Sequence, residues 1–579
     1  MPRLPTLSRP FFRGRATFSV YDAPVLLGVF GLVYALAHVG RSMTAPAVPE
    51  SLEISLGLEH VPYYLFRSTV RMFIAFGASL AFTFTYGSMA AHSRKAERIL
   101  MPLLDVLQSV PVLGFLSVTV TAFMSLFPGS MLGMELAAIF AIFTSQAWNM
   151  AYSFFQSVRA IPRDLQEGAK IYRLTPFQRF VRLEIPFATN GLVWNSMVSF
   201  GGGWFFLAAS EAITVLGKDI RLPGIGSYLA TAVEAGDFNA IGTAIAAMLV
   251  VIVGLDVLFF RPLLDWAQKF GTGSAMDEEY DSLVLTALRR SRVLTLFQDR
   301  VSAPLTHFFV NRLPSLLQGR ATRTPASSKI WAATGWVTAA CAGIAALLLS
   351  WHGASALVRE ITPGDIQEVL LAGLMTLGRV LASVALASIV WVPIGTYVGL
   401  RPRLARRLRP IIQLGAAFPA NLVFPLLVFV FIQAGVDIGL GSILLMVLAT
   451  QWYILFNVIV GTMSIPEDLR EVGRVLRLNR RQRFRNIILP VVLPYWVTGA
   501  ITAAGGAWNV SIVAEIAGLG DKTLTCFGLG SYMTHATIKG DWPGIILSIV
   551  TMSLFVVATN RLLWRRLYVY AEENLRLET

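Results

Sequence analysis

The chain has 579 residues, of which 55% are hydrophobic and only 14% charged, with a mean hydropathy of +0.62. Soluble domains carry roughly 25% charged residues, so a string of soluble domains is excluded and an integral membrane protein is implied. Two cysteines, Cys341 and Cys526, and six histidines are too few for a disulfide framework or a metal cluster, and no metal site is expected. A net charge of +14 would suggest nucleic acid in a soluble protein. In a membrane protein it reports topology first, so membrane lipid is the expected surrounding and nucleic acid is not an expected partner.

Apolar stretches of about 18 residues or more can cross the roughly 30 Å hydrocarbon core as helices. Twelve occur, near 23–40, 64–90, 102–126, 134–157, 187–215, 239–260, 330–350, 367–399, 410–433, 440–463, 491–515 and 542–564. Those at 187–215 and 491–515 are interrupted by glycines. The alternation over about ten residues that a spanning β-strand needs does not occur, so the expected class is all-α. Lysine and arginine are retained on the cytoplasmic side. Most of the 48 lie before the first span or near 94–98, 159–182, 261–329, 401–409, 470–485 and 561–576, which predicts that both termini are cytoplasmic. Arg41, between the first apolar run and Ala45-Pro46-Ala47, argues for an uncleaved anchor over a signal peptide.

The chain repeats itself. One offset pairs Ile161, Pro162, Asp164, Leu165 and Glu167 with Ile465, Pro466, Asp468, Leu469 and Glu471. The same offset pairs Gly201, Gly202, Trp204 and Glu211 with Gly505, Gly506, Trp508 and Glu515, and Gly224, Gly226, Ser227 and Tyr228 with Gly528, Gly530, Ser531 and Tyr532. Upstream, a slightly larger offset pairs Arg71, Gly87, Pro102 and Pro111 with Arg379, Gly395, Pro410 and Pro419. Two six-helix halves of the same topology follow, a parallel repeat about an axis along the membrane normal. The expected organisation is a tail, first span and outside loop over 1–59, a unit over 60–270 and a cytoplasmic linker over 271–329. An extra span and outside loop over 330–365, a second unit over 366–571 and a tail over 572–579 complete it. Within the linker, one amphipathic helix is expected from Leu283 to about Phe309.

Residues 160–186 and 464–490 each predict a short helix, a turn and a second helix. Thr175, followed by Pro176, and Asn479 are suited to cap the second helices. Leu165, Ala169 and Tyr172 fall at helical spacing and predict one apolar face. The charge rule explains the arginines here but not two matched helix–turn–helix segments. A rigid amphipathic element, once per half, suits a membrane protein that takes force from a soluble partner.

These segments resemble the coupling loop of permease subunits of ATP-binding-cassette importers. The GIGSY and GLGSYM runs and Ala514-Glu515-Ile516 resemble the nitrate, sulfonate, taurine and bicarbonate branch, in its fused form where one chain supplies both transmembrane halves. The resemblance covers about 60–265 and 368–570. It implies the type I importer permease fold, a bacterial inner-membrane location, two cytoplasmic ATPase subunits that bring ATP and Mg, and a solute-binding protein outside. It also assigns the ATPase-coupling role to Asp164, Glu167, Gly168, Ala169, Arg173 and Thr175, and to Glu471, Val472, Gly473, Arg477 and Asn479. The family's Glu-Ala-Ala is Glu167-Gly168-Ala169 in one half and Glu471-Val472-Gly473 in the other. The glycine that follows it is replaced by Arg173 and Arg477. Glycine permits a left-handed turn, so the replacement predicts a changed loop geometry.

No GxxxxGK[ST] phosphate cradle occurs. ATP hydrolysis is therefore expected in another chain, no cofactor is expected on this one, and no catalytic residue is assigned. A charge at mid-bilayer costs at least roughly 2.5–3.5 kcal/mol, so the matched Arg71, Arg379, Glu211 and Glu515 call for partners or a role. They either pair to lock the bundle or meet an anion on the translocation pathway. Trp204 and Trp508 either pack or line the cavity. The rival class is a secondary carrier with two parallel six-helix halves, which would have no use for twin coupling loops.

Overall fold

The structure is a computed structural model describing residues 22–43, 54–215, 218–270, 283–302, 304, 308, 361–520 and 522–575. It contains two compact units. One holds the described residues of Met1–Arg41, Pro162–Asn190 and Asp256–Thr324, and the other those of Ser42–Ile161, Gly191–Leu255 and Pro325–Thr579.

Helix α1 (Asp22–Met43) coincides with the first expected span, and α2 (Val61–His92) with the second. The third, 102–126, is not one helix. It divides into amphipathic α3 (Arg94–Ser109), a 3-10 turn and α4 (Leu116–Leu126). The cause is Pro111: a residue before proline is driven out of the helical region, and Val110 is extended, at ψ 122°. Eleven residues rise about 16 Å, so α4 alone cannot cross. Helix α5 (Met131–Arg159), capped by Ser130, packs along α2.

The first loop follows as α6 (Arg163–Ile171) and α7 (Pro176–Arg179), and a π-turn leads into α8 (Ile185–Glu211). Gly201–Gly203 do not interrupt α8, contrary to the sequence expectation, because its backbone hydrogen bonds continue through them. Strands β1 (Ala212–Val215) and β2 (Lys218–Arg221) form an antiparallel hairpin pairing Ala212 with Arg221. Helices α9 (Ile225–Glu234), α10 (Phe238–Leu255) and α11 (Arg261–Ala267) complete the half.

The linker is not the single helix expected. It forms α12 (Leu283–Arg290) and α13 (Arg292–Phe297). Ser291 is extended between them and caps α13 through the Leu294 N–H. The buried Asp22 carboxylate accepts from Ser291 Oγ at 2.7 Å and from the Val293 N–H at 3.1 Å. This ties the start of α1 to the break. Phe309 and the expected span at 330–350 lie outside the described residues.

The second half repeats the first. Helix α14 (Pro363–Gly399) is followed by α15 (Pro402–Ala417) and α16 (Phe424–Ala434), so the expected span 410–433 is again broken, here at Pro419. Then come α17 (Ile438–Met463), the second loop as α18 (Glu467–Val475) and α19 (Arg480–Arg483), a π-turn and an unbroken α20 (Leu489–Ala514). A hairpin, β3 (Ile516–Leu519) with β4 (Lys522–Thr525), leads to α21 (Leu529–Lys539), α22 (Trp542–Thr559) and α23 (Arg565–Leu575).

Among the described residues, eight helical segments are long and apolar enough to cross a membrane. They fall on eight of the twelve expected spans, and the strands among the described residues form two short hairpins. The halves meet reciprocally. The Val112 N–H, freed by the first break, donates to Asn509 Oδ1 of α20 at 2.8 Å. At the second break, Asn421 Nδ2 donates to the Phe205 carbonyl of α8 at 3.3 Å.

Candidate functional site

Each helix–turn–helix loop is built the same way. Helix α6 ends in a Schellman motif: the Leu174 N–H donates to the Ala169 carbonyl at 3.1 Å and the Arg173 N–H to that of Lys170 at 2.9 Å. Helix α18 ends identically, with the Leu478 N–H donating to Gly473 at 3.1 Å and the Arg477 N–H to Arg474 at 3.0 Å. The left-handed position that glycine usually fills is taken by Arg173, at φ 49°, and Arg477, at φ 48°. The turn geometry expected to change is therefore kept, because the two backbone hydrogen bonds hold it. Among the described residues these are the only non-glycine residues at positive φ, and each costs about 1–2 kcal/mol over glycine.

After each turn a capping box starts the next helix. Thr175 exchanges hydrogen bonds with Gln178, and Asn479 with Gln482. Ala169 and Gly473 are the inward-facing residues of α6 and α18. A Cβ at Gly473 would press within 2.7 Å of Ile487, which accounts for the glycine there. Asp164, Glu167 and Glu471 are exposed. So are Leu165 and Tyr172 of the expected apolar face, while Ala169 of that set is buried. Val472 is also exposed, and Gly168 has open space around it.

The intramembrane charges form two matched but unequal clusters. In the first half, Arg71 Nη1 donates to Glu211 Oε1 at 2.6 Å, and its Nε and Nη2 donate to Glu135 at 2.5 and 2.8 Å. Nη2 also donates to the Pro223 carbonyl at 3.0 Å, and Arg67 pairs with Glu135. Two guanidiniums and two carboxylates thus neutralise one another out of solvent. In the second half Arg379 donates to Glu515 at 2.9 Å and keeps 15% of its side chain exposed. A Cβ added at Gly439, on the helix equivalent to the one carrying Glu135, would lie 3.8 Å from its Nη2.

Both glutamates also organise the chain beyond the hairpin. Glu211 Oε2 accepts the Gly226 N–H at 2.7 Å, and Glu515 Oε2 accepts the Gly530 N–H at 2.8 Å. Ser68 Oγ donates to Glu211 at 2.5 Å and accepts the Ile225 N–H at 3.0 Å. Thr376 Oγ1 does the same between Glu515, at 2.7 Å, and the Leu529 N–H, at 2.8 Å. The carboxylates therefore satisfy the orphan donors that open α9 and α21. The glycines of GIGSY and GLGSYM are explained by contact. A Cβ at Gly226 or Gly530 would collide with the backbone of Ala208 or Ser511, and one at Gly224 or Gly528 with the glutamate itself.

Sequence reasoning missed Glu135, Ser68 and Thr376. The last two stand three residues before Arg71 and Arg379, one helical turn away, and were findable from the repeat. Trp204 and Trp508 are 2% and 1% exposed, and Trp204 packs edge-on against Phe200. Cys526 is half-buried beside the Glu515 carbonyl, and burial pushes its thiol above the usual range. Among the described residues no cluster of three or more His, Cys, Asp or Glu is placed to hold a metal ion.

The repeat is matched by a known family. Binding-protein-dependent transport system inner membrane components align with residues 83–265 and again with 391–568. This chain belongs to that family. It carries the family's domain twice, which makes it a duplicated inner-membrane transport component rather than an enzyme. A nitrate import permease of Synechococcus elongatus is 30% identical over 189 residues, covering 33% of this chain and 65% of the relative. A bicarbonate transport system permease of Synechocystis sp. is 34% identical over 176 residues, 30% of this chain and 60% of the relative. A probable ABC transporter permease of Brucella melitensis is 29% identical over 196 residues, 32% and 72%. The chain thus spans less than two thirds of the nitrate and bicarbonate relatives it matches.

Proposed function

We propose that this chain is the fused transmembrane subunit of an ATP-driven importer of a small oxyanion, with nitrate and bicarbonate first and sulfonate or taurine next. The twin loops carry this reading. Each is a capped, Schellman-ended element with exposed acidic and apolar residues, present once per half. Two ATPase subunits, supplying ATP and Mg, would dock at 160–186 and 464–490 and drive the units 60–270 and 366–571 between openings to either side. The arginine distribution supports cytoplasmic termini and a cytoplasmic linker over 271–329. A solute-binding protein would deliver the anion from the opposite side. Arg71 and Arg379 serve chiefly to anchor the bundle through Glu211 and Glu515.

The test is ATP hydrolysis by the complex copurified from its native membrane, with and without Glu167→Ala plus Glu471→Ala. Copurifying hydrolysis that these changes uncouple or release supports the reading. A chain that purifies alone and carries solute into vesicles without ATP is a secondary carrier.

A further inference from the structure

Among the described residues only Arg173 and Arg477 hold a left-handed backbone without being glycine, and they do so at matched positions. Strain of this kind persists where the surroundings or a function over-determine it. Beyond the two backbone hydrogen bonds that close each turn, nothing among the described residues repays it: both side chains are exposed, and neither side chain makes a hydrogen bond or ion pair with another described residue. Attraction to the helix C-terminus does not require arginine here, since Lys170 and Arg474 already place a cation in each last turn. Glycine would close both Schellman motifs without strain. Each arginine also follows a pair of apolar side chains held in the open. Ile171 and Tyr172 are 79% and 81% exposed, and Val475 and Leu476 are 80% and 63% exposed. The left-handed residue ends the helix directly after this tip and is itself exposed.

An apolar tip edged by exposed cations is complementary to an apolar cleft edged by carboxylates. Resting on the reading of these loops as docking elements, we propose that Arg173 and Arg477 are partner contacts. Each guanidinium pairs with a carboxylate of the soluble ATPase subunit that receives the neighbouring apolar tip. The arginines are retained over glycine for that charge-assisted pair, and the strain is offset only in the complex.

The experiment uses the full chain copurified with its ATPase subunit and reads ATPase retained per permease across a salt series, alongside the melting of the permease alone. Arg173→Gly plus Arg477→Gly should weaken retention at least about tenfold and flatten its salt dependence, without lowering the melting temperature. Arg173→Lys plus Arg477→Lys should retain the greater part. Glycine variants that melt as high as the parent and hold the ATPase as tightly would overturn the proposal, leaving the arginines as tolerated residues. The apolar control, Tyr172→Ser plus Leu476→Ser, separates the two levels. If it loses the ATPase while the glycine variants keep it, only the arginine inference fails. If it keeps the ATPase too, the docking reading of the loops fails and takes this inference with it.

Discussion

Removing Arg71 should damage the protein far more than removing its counterpart Arg379, although the sequence presents them as equals. Arg71 is fully buried, makes four hydrogen bonds and serves two carboxylates. Arg71→Met leaves Glu211 with only Ser68 and the Gly226 N–H, and Glu135 with only Arg67. Breaking a buried charge pair from one side costs about 3–5 kcal/mol. Arg379 makes one hydrogen bond, and Glu515 keeps Thr376 and the Gly530 and Ser531 N–H groups when it is lost. The cost of Arg379→Met is that of one charge-assisted hydrogen bond, about 1.5–3 kcal/mol. At roughly 2–4 °C per kcal/mol for a unit of about 150–250 residues, the size of one half, Arg71→Met should melt on the order of 10 °C below the parent and Arg379→Met about half as far. Gel filtration of heated, detergent-solubilised protein reads both. Equal losses would refute the inequality of the clusters, and a larger loss at Arg379 would reverse it. Exchanging the pair, Arg71→Glu with Glu211→Arg, should not rescue. An arginine cannot accept the Gly226 N–H, and the new carboxylate would face Glu135.

Three further outcomes follow from the same geometry. Gly226→Ala and Gly530→Ala should each cost about 1–3 kcal/mol through backbone collision, seen as reduced yield of monodisperse protein, while Gly168→Ala, in open space, should be neutral. Thr175→Ala or Asn479→Ala should each remove about 1 kcal/mol of helix capping, read as faster hydrogen exchange at the Gln178 or Gln482 amide without global destabilisation. Because burial raises the Cys526 thiol, the thiolate fraction at neutral pH is small. In a Cys341→Ser background its alkylation should be slow near pH 7 and accelerate as pH rises. A pH-independent rate would contradict that environment.

Much of the loop design was legible in the chain because it is local. Thr175, Asn479, Gln178 and Gln482 stand at capping-box spacing, and a cap involves residues only three apart. The breaks at Pro111 and Pro419 were also written in the chain, yet apolar length alone ran each flanking stretch together into one span. The left-handed arginines were not legible. Propensity puts glycine at that position, and only the pair of backbone hydrogen bonds closing each turn shows that the conformation survives without it.

What the sequence by itself determined is the membrane class, the duplication and the matched Arg and Glu, since hydropathy, spacing and repetition are properties of the chain. Tertiary structure decided the pairing. Glu135 lies 64 residues from Arg71, and Glu211 lies 140 from it, so only the packing of α2 against its neighbours brings these charges together. The same packing made the halves unequal: glycine at 439 stands beside Arg379, where a carboxylate stands beside Arg71. A buried charge is stabilised by the groups that surround it in space, and those groups are chosen by packing.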